Sequence, residues 1–392
     1  MAKRVGMEVT TACAEAVALC RLDVAAVFPI TPQSHIAEHL SGIVADGRID
    51  AEFITVESEH SALSAAMGAS ATGARVFTAT SSQGLIYMQE IMPITSAMRL
   101  PVVMAVANRA VSGPINIWND HSDIMHTRDT GWISLFAQNG QEVVDMTIQA
   151  FKIAEHKNVL LPININLDGF QLSHMVEPME MPSQEEVDKF LPDFVPHATL
   201  HPDKVVTMGA LGMPEMFTEA MMAKDTAIVN SRKVILEVWQ EWKKLFGRTY
   251  EPIESYKTEG AEVLLVTMGS MGETAEIAVD EMRAKGLAVG LLKIKLWRPF
   301  PFEDLKKAVK GAKVLAVTDR AVSFGGPGGP VCSEIRSALY DEADKPAIVN
   351  YIIGLGGRDV AVGDFIEMAK RAALAKDKKP EVAYELYGVR AS

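Results

Sequence analysis

At 392 residues, 48% of them apolar and 22% charged, the chain is too long for one ordinary domain and has ample material for two or three buried cores. A formal net charge of -12 argues against nucleic acid and anionic lipid as partners, because like charges repel. Three scattered cysteines, Cys13, Cys20 and Cys332, rule out a disulfide framework and lack the close thiolate spacing that an iron–sulfur cluster or structural zinc needs.

In chain order, residues 10–21, rich in Ala and Leu, predict a helix. Residues 24–29 (VAAVFP) form a short apolar strand, stopped by Pro29 and Pro32, which bias their predecessors away from helix. A helix over 34–46, a strand over 52–56 (EFITV), an Ala-dense helix over 60–73 and a strand over 75–80 (RVFTAT) follow. Next come a helix after Gln83, a strand over 101–107 (PVVMAVA), and an apolar run over 159–167 that ends at Asp168-Gly169. Apolar strands alternating with helices predict an α/β fold with a parallel sheet covered on both faces. Charge and proline rise over 183–259, where 224–246 predicts one long amphipathic helix in a connector. A second α/β unit spans 260–375. It has strands over 263–268, 289–295, 314–318 and 347–354, a helix over 273–285, and a Gly/Pro-rich loop over 325–330. The charged tail, 376–392, reads as peripheral, which leaves 1–182 as the first domain. No apolar run reaches the roughly 20 residues needed to span a bilayer. The basic start, through Lys3 and Arg4, is not followed by a secretory apolar stretch, so the expected location is the cytoplasm.

In parallel α/β sheets chemistry sits beyond the carboxyl ends of the strands. Four loops occupy such positions: Phe28-Pro29-Ile30-Thr31-Pro32, Val56-Glu57-Ser58-Glu59-His60, Thr80-Ser81-Ser82-Gln83-Gly84 and Asn108-Arg109-Ala110. Convergence of these loops would place Thr31, Glu59, Gln83 and Arg109 around one crevice. Each has a plainer explanation taken singly. Thr31 suits a turn, Glu59 suits the positive end of a helix dipole, and Arg109 suits a surface ion pair.

The strings Pro29-Ile30-Thr31-Pro32, Val56-Glu57-Ser58-Glu59-His60-Ser61-Ala62 and Thr78-Ala79-Thr80-Ser81-Ser82-Gln83-Gly84-Leu85 resemble successive blocks of the alpha subunit of 2-oxoacid:ferredoxin oxidoreductases, closest to the pyruvate branch. Pro114-Ile115-Asn116-Ile117-Trp118-Asn119-Asp120, Arg128-Asp129-Thr130-Gly131-Trp132 and Gly354-Leu355-Gly356-Gly357-Arg358-Asp359 continue the resemblance in family order. It implies a pyrimidine-type thiamine-diphosphate-binding domain followed by a smaller α/β domain similar to the transketolase C-terminal domain. It also implies oxidative decarboxylation of a 2-oxo acid to acyl-CoA and CO2, with coenzyme A as co-substrate and ferredoxin as electron acceptor.

On this resemblance Glu59 is the carboxylate that hydrogen-bonds the aminopyrimidine and favours the imino tautomer that takes the thiazolium proton; Glu57 ranks second. Arg109 and Thr31 bind the carboxylate and keto groups of the substrate, with guanidinium forking onto carboxylate. Pro29, Ile30 and Gln83 complete the cofactor-binding set. The Gly-Asp-Gly motif that holds the diphosphate through Mg2+ is absent, as are Cys-rich segments. The resemblance therefore implies a beta subunit carrying the diphosphate half-site and Mg2+. It further implies gamma and delta subunits or their equivalents, at least one of them ferredoxin-like and bearing [4Fe-4S] clusters.

Rival readings remain open at this level. Within the family, Arg109 and Thr31 read only groups shared by all 2-oxo acids, so a branched-chain or aryl substrate is an alternative. A non-catalytic scaffold subunit is another. His35-Ile36-Ala37-Glu38-His39 spells H-x-x-E-H, a metallopeptidase pattern in need of a third ligand. Residues 80–84 partly match a nucleophile elbow but lack its first glycine, and Gly325-Gly326-Pro327-Gly328-Gly329 lacks the Lys-Ser/Thr of a phosphate-binding loop. The latter suits a domain or subunit contact.

Overall fold

Runs such as VVMAVAN (Val102–Asn108) and ININLD (Ile163–Asp168) are buried along their whole length. Only a sheet covered on both faces accommodates them. The computed structural model describes residues 3–376 and 382–390. Its larger sheet has seven strands in the order Leu296–Arg298, Ile133–Phe136, Ile163–Asp168, Val102–Asn108, Val76–Thr80, Val24–Val27, Glu52–Thr55. All neighbours pair in parallel except Leu296–Arg298, an antiparallel edge strand contributed by the second unit. The chain runs outward from Val24–Val27 to Glu52–Thr55, then returns to Val76–Thr80 on the other side. That reversal opens a crevice at the carboxyl ends of Val24–Val27 and Val76–Thr80, where parallel sheets bind ligands.

The second sheet has six strands: Glu385–Leu386, Ala347–Ile352, Val314–Asp319, Val263–Met268, Val289–Ile294 and Ile253–Tyr256. Its last strand comes from the stretch read as connector and pairs antiparallel with Val289–Ile294. Glu385–Leu386, from the tail read as peripheral, adds a parallel edge strand. Two residues carry no pattern that sequence reasoning can detect.

The long helix is Pro214–Phe246, ten residues longer at its start than the expected 224–246. Ala227, Ser231, Val234, Ile235, Val238, Trp239 and Trp242 are buried at helical spacing, whereas the first turns face solvent and show no amphipathic stripe. The helix packs against Gly140–Glu155, itself missed in the sequence because its buried face carries charge. Asp145 there accepts hydrogen bonds from Trp242 Nε1 at 3.0 Å and Tyr250 Oη at 2.6 Å. Glu142 pairs with the buried Lys295.

The two sheets are joined at Asp168, fully buried at the end of a central strand of the first sheet. Its carboxylate accepts from Arg320 Nη1 at 2.8 Å and from Ser270 N at 2.9 Å, both in the second unit, and lies 2.8 Å from His121 Nε2. Burial alone would raise this carboxyl. The Arg320 guanidinium and the His121 ring beside it more than reverse that, holding it well below the ordinary carboxylate range.

Asp168→Asn should lower the free energy of unfolding by roughly 3–5 kcal/mol, because it strands a buried guanidinium. The folded carboxyl lies below its unfolded value near ~3.9. Its contribution is therefore complete above that pH and is lost only as pH falls through the folded value. Urea unfolding curves of wild type and variant should converge in acid and stay apart from neutral pH upward.

Candidate active site at the sheet switch point

The structure brings the four expected loops to the crevice between Val24–Val27 and Val76–Thr80, and two side-chain pairings can be read directly. Arg109 follows the strand Val102–Asn108 and is 8% exposed. Its Nη1 donates to the main-chain oxygen of Thr31 at 2.9 Å, and its Nε to that of Asn116 at 2.8 Å. Nε, one half of the side-on Nε–Nη2 edge, is thus committed to the protein. The Nη2 group has no partner among the described residues, so a fork through both Nε and Nη2 is closed and Nη2 is the donor left for a ligand. Burial pulls the Arg109 guanidinium below its ordinary value, with Asp123 opposing. Thr31 itself is exposed at the rim, as is Pro29; Ile30 is half-buried.

Glu59 opens the helix Glu59–Ala71, whose N-cap Ser58 accepts from Ser61 N. The Glu59 side chain is 9% exposed and its carboxylate meets no hydrogen-bond donor among the described residues. Its oxygens are not sealed from solvent, so the carboxylate is open to accept a hydrogen bond from a ligand. Glu57 is exposed and points elsewhere. Room for Glu59 depends on Gly84: a Cβ there would lie 2.8 Å from Glu59 Oε1 and 2.5 Å from Thr80 Oγ1. Gln83, next in chain, is half-buried, and its Oε1 accepts from Ser82 Oγ at 2.5 Å.

Sequence reasoning missed the residue that ties these loops together. Asp123, in the short helix Ser122–Thr127, accepts from Ser82 N and Arg109 N at 3.0 Å each. It also accepts from Asn108 Nδ2 at 3.1 Å and Ile124 N at 2.7 Å. Burial pushes its carboxyl up to about 7 against the pull of these donors. Ser82, held by Asp123, has a φ of 48°, a left-handed conformation that non-glycine residues rarely adopt. The one available signal was the place of Asp123 between two recognised motif blocks. Asn116 was inside such a block, but its contact with Arg109 is tertiary.

The rival motifs resolve differently. His35 Nδ1 lies 2.6 Å from Glu8 Oε1, while His39 Nε2 lies 2.7 Å from Glu15 Oε1, so the H-x-x-E-H histidines serve separate carboxylates. Ser82 sits at a strand-to-helix turn, yet its hydroxyl is engaged by Ala110 O at 2.6 Å and Gln83, with no base beside it among the described residues. At the glycine-rich loop, the N–H groups of Val331 and Cys332 that would hold a phosphate donate to Asp319 Oδ1 and Oδ2 at 2.7 and 3.1 Å.

Residues 15–240 match the family "Pyruvate flavodoxin/ferredoxin oxidoreductase, thiamine diP-bdg", and residues 261–365 match "Pyruvate:ferredoxin oxidoreductase core domain II". The chain belongs to the pyruvate flavodoxin/ferredoxin oxidoreductase family. It is a thiamine-diphosphate-dependent oxidoreductase chain of the 2-oxoacid class. Pyruvate synthase subunit PorA of Pyrococcus abyssi is 46% identical over 99% of this chain and 98% of its own length. Ketoisovalerate oxidoreductase subunit VorA of the same organism is 42% identical over 94% of this chain and 91% of its own. Among solved structures, 2-oxoglutarate:ferredoxin oxidoreductase from Magnetococcus marinus, with 2-oxoglutarate, coenzyme A and succinyl-CoA bound, aligns with a TM-score of 0.73 at 19% identity. That match covers 95% of this chain and 65% of the other, and the likeness is one of fold. In this oxidoreductase family the unpartnered Glu59 fits the aminopyrimidine half of thiamine diphosphate.

Gly84→Ala should leave the chain folded but push Glu59 aside. A misplacement of this size costs on the order of 100-fold in kcat. Steady-state assay of the assembled enzyme, with circular dichroism to verify folding, checks this; unchanged kcat would mean that the carboxylate position is not critical.

Proposed function

We propose that this chain is the alpha-type subunit of a pyruvate:ferredoxin oxidoreductase, supplying the aminopyrimidine and substrate-carboxylate half of the active site. The observation that carries this reading is the buried Glu59 carboxylate, without a donor among the described residues, at the switch-point crevice that also holds Arg109. Bound thiamine diphosphate supplies the electron sink for decarboxylation. Glu59 holds the aminopyrimidine by accepting a hydrogen bond. Arg109 offers its free Nη2 to the 2-oxo acid carboxylate, and the exposed Thr31, whose main-chain oxygen Arg109 already holds, would offer its hydroxyl to the same group or the keto oxygen. Pro29, Ile30 and Gln83 line the cofactor side.

The partners are inferred from what the chain lacks. The sequence has no Gly-Asp-Gly, so a beta subunit would carry the diphosphate and Mg2+. Its three cysteines are buried and burial raises their thiols, Cys13 to about 12, which suits core packing rather than cluster ligation. Gamma and delta subunits or equivalents, at least one with [4Fe-4S] clusters, would pass electrons to ferredoxin. Coenzyme A would take the acyl group, giving acetyl-CoA and CO2. Ile115, 82% exposed, and Trp118, 51% exposed, on the loop beside Arg109 suit burial against such a partner. No helix among the described residues is long and apolar enough to cross a membrane, and a cytoplasmic complex fits the chain's acidity. The similarity to a ketoisovalerate enzyme subunit favours a second reading, the same chemistry on a branched-chain 2-oxo acid.

In the assembled complex, Glu59→Gln should nearly abolish turnover with every 2-oxo acid tested, while Glu57→Gln changes it little. Reversed effects would reassign the activating carboxylate, and equal full activity would refute the catalytic reading in favour of a scaffold.

Arg109→Lys keeps the charge but loses the planar edge. Loss of a charge-assisted hydrogen bond costs roughly 1.5–3 kcal/mol, so kcat/KM should drop about ten- to over a hundredfold. The loss should be similar for pyruvate and branched substrates, since Arg109 reads their common carboxylate; unchanged kinetics would remove it from the site.

A further inference from the structure

The motif H-x-x-E-H does not form a two-histidine site, yet one of its histidines belongs to a different cluster. Glu8 ends the strand Lys3–Glu8, His35 lies in the first turn of the helix Ser34–Ala45, and His174 lies in the turn after Ile163–Asp168. One ligand-type atom from each lies within 4.8 Å of the other two, the single group of this kind among the described residues. His35 Nδ1 is 2.6 Å from Glu8 Oε1, and the two imidazole rings face each other with centroids 4.7 Å apart. All three residues are half-buried, so an ion and a water can reach them.

The surroundings are arranged as the outer layer of a metal site would be. Ser173 Oγ accepts from Phe170 N at 2.8 Å and lies 2.8 Å from His174 Nδ1. A hydroxyl oxygen has a second lone pair, so it can also accept from Nδ1–H, which leaves His174 Nε2 bare for a ligand bond. Thr10 Oγ1 sits on Glu8 Oε1 and at 3.0 Å from Ser173 O, bracing the carboxylate and the histidine turn from one side chain. Two imidazoles and one carboxylate suit zinc and its first-row neighbours and are a poor match for magnesium or calcium. Bonds of about 2.0–2.1 Å at tetrahedral angles set ligand atoms about 3.4 Å apart, within reach by side-chain rotation.

We propose that Glu8, His35 and His174 form a zinc-class metal site with three protein ligands and water in the fourth position. The ion would tie the N-terminal strand and the turn after Asp168 to the helix that follows Thr31. Gly169, in that turn, already packs so closely on Pro32 that a Cβ would lie 2.7 Å from Pro32 Cγ, so the site braces the Thr31 loop from outside. The binding does not depend on the catalytic reading.

The test uses the full chain, stripped with a chelator, dialysed against Zn2+, and analysed for metal content. Co2+ serves as a spectroscopic probe. Wild type should hold one zinc per chain and give the intense visible absorption of tetrahedral cobalt. His35→Ala and His174→Ala should each weaken binding by more than the roughly 10–100-fold that loss of an outer partner costs. His39→Ala should bind as wild type does. Affinity should fall in acid, because protons compete with the metal for the imidazole nitrogens. Zinc should raise the melting temperature of wild type and His39→Ala only, with metal-free melting temperatures verifying that the variants fold; Glu8→Gln replaces any that does not. The proposal is overturned by a wild type that takes up no stoichiometric zinc, by His35→Ala or His174→Ala that keep it, or by loss of zinc in His39→Ala.

Discussion

Both units of this chain depend on one buried carboxylate. Asp168 ends a central strand with no exposure to water, and an isolated buried charge there would be prohibitive. It becomes tenable because Arg320, Ser270 and His121 converge on it. The second unit is therefore part of the first unit's electrostatics. Arg320 O also accepts from His121 N at 2.7 Å, which fixes the start of the helix that carries Asp123. Asp123 in turn holds the main chains of Ser82 and Arg109. A line of hydrogen bonds thus runs from the junction of the sheets to Arg109.

The second unit reaches the site by another route. The loop over 114–120 docks on its Gly354–Gly357 turn: Asn116 Nδ2 donates to Gly356 O at 3.0 Å and Gly357 N to Asn119 O at 2.6 Å. Gly357, at φ 80°, must lack a side chain because a Cβ would lie 2.3 Å from Trp118 Cβ. Asn116 O then receives Arg109 Nε. The smaller unit thereby positions the Arg109 guanidinium, the group proposed to meet the substrate carboxylate. The contrast between Arg109 and Glu59 fits a half-site. The arginine is held by the protein through Nε and Nη1, whereas the Glu59 carboxylate meets no donor among the described residues.

How much was legible in the sequence depends on range. Strands such as Val263–Met268 and helices such as Ser34–Ala45 stand out because burial imposes a local apolar pattern. Gly140–Glu155 did not, since Glu142 and Asp145 on its buried face are neutralised by Lys295 and Arg248, more than 100 residues away. The first turns of Pro214–Phe246 did not either, because solvent imposes no pattern.

The sequence by itself determined the α/β class, the family, and the four loops bearing Thr31, Glu59, Gln83 and Arg109. Each rests on short strings whose chemistry is local. Only the tertiary structure decided which donors of Arg109 are free, that Glu59 is left without a donor among the described residues, that His35 parts from His39 to join Glu8 and His174, and that one strand of the first sheet and two of the second come from outside their expected domains. Those outcomes depend on which distant groups meet in a low-dielectric interior. There most buried charges and donors find a partner, and the spacing of residues along the chain does not specify which one.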